Sequence, residues 1–291
     1  MGKKAIRMSM DVNSRLRNTK VVFLRPRPGW QPVNIRELWV NRELIWFLGW
    51  RDVKVRYKQT FLGAAWALLQ PVISMAVFVA FFGRLAGFSK YSAIPYWQLT
   101  LCGLLPWQLF SASIAGAAGS VIGNSALITK VYFPRMAIPI ASLLAPAVDF
   151  VIALCLYGIV AVLFGVLPSR WVVTVPLFVL LVAASSTGSG LWLAALNVEY
   201  RDVRYIVPFL VQIWMYITPI VYPLSLIPLR WRFLYGLNPM VGAVEGFRWA
   251  LISGVAWPGS VIAGSALGAA LLCVTGAFYF RRAERNFADA I

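Results

Sequence analysis

The sequence predicts an all-α, polytopic membrane protein with six transmembrane helices. Three observations carry that prediction. First, 60% of the 291 residues are hydrophobic, mean hydropathy is +0.74 and only 13% of residues are charged; soluble domains run at about 45–50% apolar and about 25% charged. Second, the apolar residues gather in runs that reach the length of about 20 residues a helix needs to cross hydrocarbon. The 39 residues between Lys90 and Lys130 carry no charge at all. Third, 14 of the 27 Lys and Arg lie in the first 61 residues, and most of the others flank apolar runs, as in proteins that keep their cations on the cytoplasmic side. The net charge of +17 therefore points to anionic lipid headgroups and not to nucleic acid.

Residues 1–34 are basic and end in Pro26, Pro28, Gly29, Trp30 and Pro32, which reads as a cytoplasmic tail. The tail has no apolar stretch of the signal-peptide kind, so the first span is expected to direct insertion. Residues 35–61 read as an amphipathic interface helix. Trp46, Trp50, Val53, Tyr57 and Phe61 fall on one stripe, with Arg51, Lys54 and Lys58 on a basic stripe beside it and Asp52–Arg56 as an i,i+4 pair. Rings at headgroup depth with cations toward phosphate suit a helix lying in the interface. At Leu62-Gly63 the charge stops, and there the chain is expected to turn into the membrane.

The transmembrane domain is expected over 62–280. Its spans are placed at about 62–83, about 104–124, about 137–166, about 171–196, about 205–222 and about 259–280, each near the length hydrocarbon requires. Pro95 and Pro106 divide the uncharged stretch into a first segment and a helix, or kink one long span. Residues 231–256 are apolar but interrupted by Gly236, Pro239, Gly242 and Gly246, with Glu245 and Arg248 inside. They read as a re-entrant extracytoplasmic pair of short helices between spans five and six. Residues 281–291 form a cytoplasmic C-terminal tail. With this topology 21 Lys and Arg lie on one side and six on the other, so both termini are expected in the cytoplasm.

Enzymatic signatures are missing. The sequence has no GxxxxGK[ST], GxSxG, HExxH or calcium-loop pattern. Histidine is absent, which removes His-based metal sites, triads and proton shuttles. Cys102, Cys155 and Cys273 are far apart in apolar runs and read as small buried hydrophobes. Of the ten acids only Asp149 lies clearly inside a span. It is a transport candidate by its position, or a partner for backbone freed by Pro146 three residues earlier. Trp66, Phe78, Phe81, Trp214, Tyr216 and Tyr222 read as a membrane belt or as the wall of a sugar path.

Five stretches resemble, in order, the permease subunits of ATP-binding-cassette polysaccharide exporters of the type-2 class. WRDVKVRYKQTFLGAAWALLQP at 50–71 is similar to their junction of interface helix and first span. LITKVYFPRMAIPIA at 127–141 looks like the cytoplasmic loop between spans two and three. NVEYRDVRYIVPFLVQIWMYITPIVYP at 197–223 is similar to the segment entering span five. LNPMVGAVEGFRWAL at 237–251 looks like the extracytoplasmic re-entrant segment, and FRRAERNFADAI like the C-terminal end. The resemblance covers about 50–291 and leaves 1–34 as an extension.

The resemblance implies a homodimer in the cell inner membrane with two copies of a separate ATPase, which would bind ATP and Mg; this chain itself would hold no cofactor and no metal. The cargo would be a polysaccharide on undecaprenyl pyrophosphate, such as O-antigen, capsule-related glycan or teichoic acid. Arg51, Lys54, Lys58, Leu62 and Gly63 would meet the pyrophosphate. Lys130, Tyr132, Phe133, Pro134 and Arg135 would couple to the ATPase. Trp66, Phe78, Phe81, Trp214, Tyr216 and Tyr222 would line the channel, and Asn238, Pro239, Glu245 and Arg248 would form the extracytoplasmic gate. Two other readings stay open: a secondary carrier or membrane-embedded glycosyltransferase using Asp149 or Glu245, and an exporter of the same architecture with a drug or lipid as cargo.

Overall fold

The computed structural model describes residues 35–58, 61–91, 94–131, 133–166, 169–200 and 202–287, all within one unit, Pro32–Ile291. The expected tail at 1–34, Tyr132 and residues 288–291 lie outside the described residues, as do the side chains of Leu62, Gly63 and Trp66. The helices are α1 (Ile35–Val40), α2 (Arg42–Lys58), α3 (Phe61–Phe78, continued by a π-helical stretch Val79–Leu85), α4 (Tyr96–Gly123), α5 (Ser125–Lys130), α6 (Ala137–Ala141), α7 (Leu144–Leu163), α8 (Val175–Glu199), α9 (Val203–Ile217), α10 (Arg232–Gly236), α11 (Pro239–Leu251) and α12 (Ser260–Ala283). Among the described residues there is no strand, as the all-α expectation requires.

Five segments are long and apolar enough to cross a membrane: Ala67–Leu85, Tyr96–Gly123, Ala137–Leu163, Arg170–Glu199 and Ser260–Ala283. The uncharged stretch resolves into one helix, α4, with Pro106 inside it. The expected fifth span is shorter than drawn. α9 has 15 residues, about 22 Å at 1.5 Å per residue, against a hydrocarbon core of about 30 Å. It stops at Ile217, and Pro219 and Pro223 in the following segment cannot supply backbone donors to prolong it.

α4 is the central post. Its face carries Leu101, Leu105, Phe110 and Ile114, all fully buried, against α7, α8, α9 and α11. α8 and α12 cross closely because small residues meet there. A Cβ on Gly188 would run into the backbone of Leu272 and Cys273, and one on Gly276 into the carbonyl of Gly188. Close backbone approach through small residues is how helices gain packing energy where lipid is as apolar as leucine.

The segment 231–256 folds as two short helices, and α11 is buried along almost its whole length. Asn238 caps it: its Oδ1 accepts from Met240 N at 3.1 Å, with Pro239 at the first helical position. The glycines that interrupt the apolar pattern are its contact points. Added Cβ atoms would strike Ser265 at Gly242 and the Phe178 ring at Gly246.

A second core lies at the other end of the bundle. Leu48 of α2, Ile128 of α5, Phe133, Met136 and Phe280 are buried there with Phe287. Phe287 thus packs inward, against the Phe280 ring at 5.2 Å. Gly49 lets α2 come close to this end; a Cβ there would lie 2.8 Å from Ala141 O.

Gly188→Ala is expected to lower stability by about 1–3 kcal/mol, the usual cost of overpacking. Gly119→Ala, where a Cβ meets nothing within 4 Å, is expected to be neutral or better. Thermal unfolding of the two variants in detergent tests the pair; equal midpoints would remove the close α8–α12 crossing as a source of stability.

Candidate functional site

α2 has two faces with different partners. Gly49 and Val53 are buried against the bundle. On the outward side Phe47, Trp50, Arg51, Lys54, Val55 and Lys58 line a shallow groove of about 350 Å³. Trp46 and Trp50 stack at 5.8 Å and both are exposed. The three expected phosphate contacts are therefore together on one face. Their states differ. Arg51 Nη2 donates to Asp52 Oδ1 at 2.9 Å and to Asn124 Oδ1 at 2.9 Å. Lys54 and Lys58 are exposed, and no ion pair joins either to a described residue.

α2 ends at Lys58 and α3 begins at Phe61, so Leu62 and Gly63, where the turn was expected, belong to the first turn of α3. The sequence carries this earlier boundary, since its last charge before the span is Lys58 and the apolar run begins at Phe61.

Asp149 is bound from the interface helix. Arg56 Nη2 lies 2.6 Å from Asp149 Oδ2, and the Tyr57 hydroxyl donates to Oδ1. The i,i+4 partner expected for Arg56 was Asp52, but the structure pairs Asp52 with Arg51. Asp149 sits deep enough, in the second turn of α7, to need a counter-charge more than an exposed carboxylate does. Burial and the bond to Asp149 both raise the pKa of Tyr57, so the phenol keeps its proton well above the usual range.

Glu245 and Arg248 also form a pair, at 2.6 Å, with side chains 10% and 3% exposed. Arg248 further donates through Nε to Leu99 O at 3.2 Å and through Nη2 to Ile220 O at 2.8 Å. The two acids considered for catalysis or ion transport, Asp149 and Glu245, thus each face an arginine. Asn238 and Pro239 belong to the start of α11, with Trp214 Nε1 donating to Asn238 Oδ1 at 2.8 Å.

The expected channel aromatics separate into two groups. Phe81 and Tyr216 are exposed, 58% and 57%. Phe78, Trp214 and Tyr222 are half-buried within the protomer: Phe78 against Phe82, Trp214 against Phe110, and the Tyr222 hydroxyl 2.5 Å from that of Tyr235. In the expected coupling tract Lys130 is exposed, while Phe133 and Pro134 are buried. Arg135 Nη1 donates to Glu284 O at 2.6 Å, and Arg281 joins Glu284 at 2.9 Å and Glu37 at 3.6 Å. The contacts of Asn124 with Arg51, of Glu284 with Arg135 and of Glu37 with Arg281 were not visible in the sequence, because these partners are far apart along the chain; only Arg281–Glu284 follows a local i,i+3 spacing.

The profile of the ABC-2 type transporter family matches residues 43–252. The chain belongs to the ABC-2 type transporter family. It is 33% identical over 216 residues to the O-antigen export system permease protein RfbA of Myxococcus xanthus, covering 74% of this chain and 82% of that one. It is 26% identical to the protein of the same name from Klebsiella pneumoniae, over 70% of this chain and 78% of that one. It is 25% identical to the polysialic acid transport protein KpsM of Escherichia coli, over 70% and 79%. All the geometry described for α2, Asp149 and α11 falls in the span that the family profile matches, except the last turns toward Glu284.

Removing Arg248 leaves Glu245 buried and uncompensated. Arg248→Ala is expected to cost about 3–5 kcal/mol, as broken buried pairs do, and Arg248→Lys is expected to recover little because one ammonium cannot reach three acceptors. Asp149→Ala is expected to cost about 1–3 kcal/mol, since Arg56 and Tyr57 both lose their partner. Hydrogen exchange across 42–58 checks the second expectation: unchanged protection of α2 in Asp149→Ala would show that the pair does not hold the helix.

Proposed function

We propose that this chain is the permease subunit of an ABC transporter that exports a polysaccharide carried on undecaprenyl pyrophosphate, with O-antigen the leading cargo, across the inner membrane. The observation that carries this reading is the outward groove of α2. It joins exposed aromatic rings to three cations at the foot of the first span, which is the pairing a phosphorylated headgroup on a lipid tail requires. The names of the relatives support the cargo class.

The working unit in this reading is a homodimer with two ATPase subunits. The sequence lacks a phosphate-binding loop, so ATP and Mg belong to the partner. The membrane-crossing window of α3 is only 11% buried in the protomer, and Phe209, Leu210, Ile213 and Tyr216 of α9 are exposed. The second copy and the channel between the copies cover these faces. α9 serves as the sixth crossing, α10 and α11 form the re-entrant outer segment, and both termini are cytoplasmic. Lys130 and the tract to Arg135 receive the motion of the ATPase. A large, hydroxyl-rich cargo then passes between the copies, pyrophosphate last bound at Lys54 and Lys58.

Lys54→Gln together with Lys58→Gln is expected to reduce surface polysaccharide at least fivefold at unchanged protein level. Arg51→Gln alone is expected to do less, because Arg51 already serves Asp52 and Asn124. Immunodetection of surface glycan alongside the membrane level of the chain measures both; normal export by the double variant would end the headgroup assignment.

A further inference from the structure

A cavity of about 440 Å³ lies inside the single protomer, bounded by α3, α4, α7 and α9. Its volume falls within the range of about 300–1,000 Å³ typical of small-ligand sites. Its walls are mostly apolar, but five polar side chains face it: Arg56, Gln70, Gln108, Ser111 and Asp149. They are not at one depth. Arg56 comes from the interface helix and Asp149 from the second turn of α7. Gln70 lies nine residues beyond the start of α3, about 14 Å along its axis, and Gln108 lies twelve residues into α4, about 18 Å along it. The polar groups therefore form a ladder from the headgroup level to the middle of the bundle.

The ends of the ladder are chemically different. Arg56 and Asp149 neutralise each other. Ser111 Oγ donates to the Gln108 main-chain carbonyl at 3.2 Å. The side-chain amides of Gln70 and Gln108 have no hydrogen-bond partner among the described residues. Gln70 is exposed and Gln108 half-buried, so neither amide is sealed off, and both stay open to a polar molecule that enters the cavity. Each amide offers two donors and an acceptor, a set that matches vicinal hydroxyls, and no net charge is offered to an ion.

We infer that this cavity is a binding site for one sugar residue of the cargo, read by the amides of Gln70 and Gln108 with Ser111, and separate from the phosphate groove on the opposite face of α2. The inference rests on the export reading. The Arg56–Asp149 pair closes the cytoplasmic end without competing for hydroxyls, and the α9 wall, Val207, Pro208 and Val211, supplies an apolar surface for the C–H face of the ring. Such a site discriminates between sugars by their hydroxyl pattern, since a polar site loses far more from an unmatched group than an apolar one does.

The test uses the full chain with its ATPase in the native membrane, after replacing Cys102, Cys155 and Cys273 by alanine. Ala112→Cys, which lines the cavity but carries none of its polar groups, is treated with a small charged methanethiosulfonate, in cells that make the glycan and in cells blocked at its first assembly step, with export stalled by a hydrolysis-deficient ATPase. Val274→Cys, exposed on the outside of α12, is the lipid-facing control and is expected to stay unlabelled. The expected result is ready labelling of Ala112→Cys in blocked cells and at least fivefold slower labelling where glycan is present. Equal labelling in both cells would mean that water alone fills the cavity and would overturn the proposal. So would no labelling in either, which marks a dry cavity or one filled by lipid. Gln70→Leu with Gln108→Leu is expected to cut export at least fivefold at normal protein level, with the Gln→Asn pair keeping more; full export by the Leu pair overturns the proposal as well. Deleting the chain separates this from the broader reading: unchanged surface glycan would defeat the export function, whereas glycan loss on deletion with unprotected Ala112→Cys defeats the sugar site alone.

Discussion

A guanidinium that water cannot reach must be answered from within the protein. Arg248 is answered by three acceptors on three separate segments: Glu245 on its own helix, Leu99 O in the first turn of α4, and Ile220 O in the chain leaving α9. The pair with Glu245 cancels charge, and Ile220, being outside any helix, presents a carbonyl that has no helical donor of its own. This arrangement fixes where α11 sits. Once α11 is seated, Gly242 and Gly246 must face Ser265 and Phe178, and α12 and α8 follow. This half of the bundle is thus positioned around one polar cluster inside an apolar core, a situation in which full satisfaction rigidifies and partial satisfaction is costly.

The opposite half uses a second compensated charge in a different way. Asp149 is reached from α2 by both Arg56 and Tyr57, and this pair is half-open to its surroundings where Arg248 is sealed. The result is graded rigidity. α11 is locked by burial, while α2 is held by a more open contact that solvent can weaken. Arg51 to Asn124 ties α2 to the end of α4, and the chain of charges Glu37, Arg281, Glu284 and Arg135 ties the preceding helix, α1, to the tract at 133–136. That tract is therefore joined through polar groups to α1.

The class of fold was legible because it depends on totals: apolar content, run length and the side on which cations fall. The helices α7, α8 and α12 followed from run length, whereas for α4 run length left open whether Pro106 divides the uncharged stretch or lies within one helix, as it does. The segment 231–256 shows where that reasoning stops. Gly242 and Gly246 look the same in a sequence whether they break a helix or admit a neighbour, and only the position of Ser265 and Phe178 distinguishes the two. Asp149 could be singled out as an intramembrane acid, but its partner Arg56 stands far away in the chain, and the nearer Asp52 satisfied the helical spacing rule. The basic stripe of α2 was readable from spacing; that Arg51 is shared with Asn124 was not, because a contact between distant helices leaves no periodic trace. Gln70 and Gln108 were passed over for a simpler reason: each is an ordinary polar residue until the bundle brings the two to one cavity.

The Arg56–Asp149 pair also has a temporal side. The two residues lie 93 positions apart in the chain, so at about 5–20 residues per second the arginine leaves the ribosome roughly 5–20 s before its carboxylate. The Arg56–Asp149 contact can therefore form only after the third membrane-length segment has been made, and the docking of α2 through it is a late event in the life of the nascent chain.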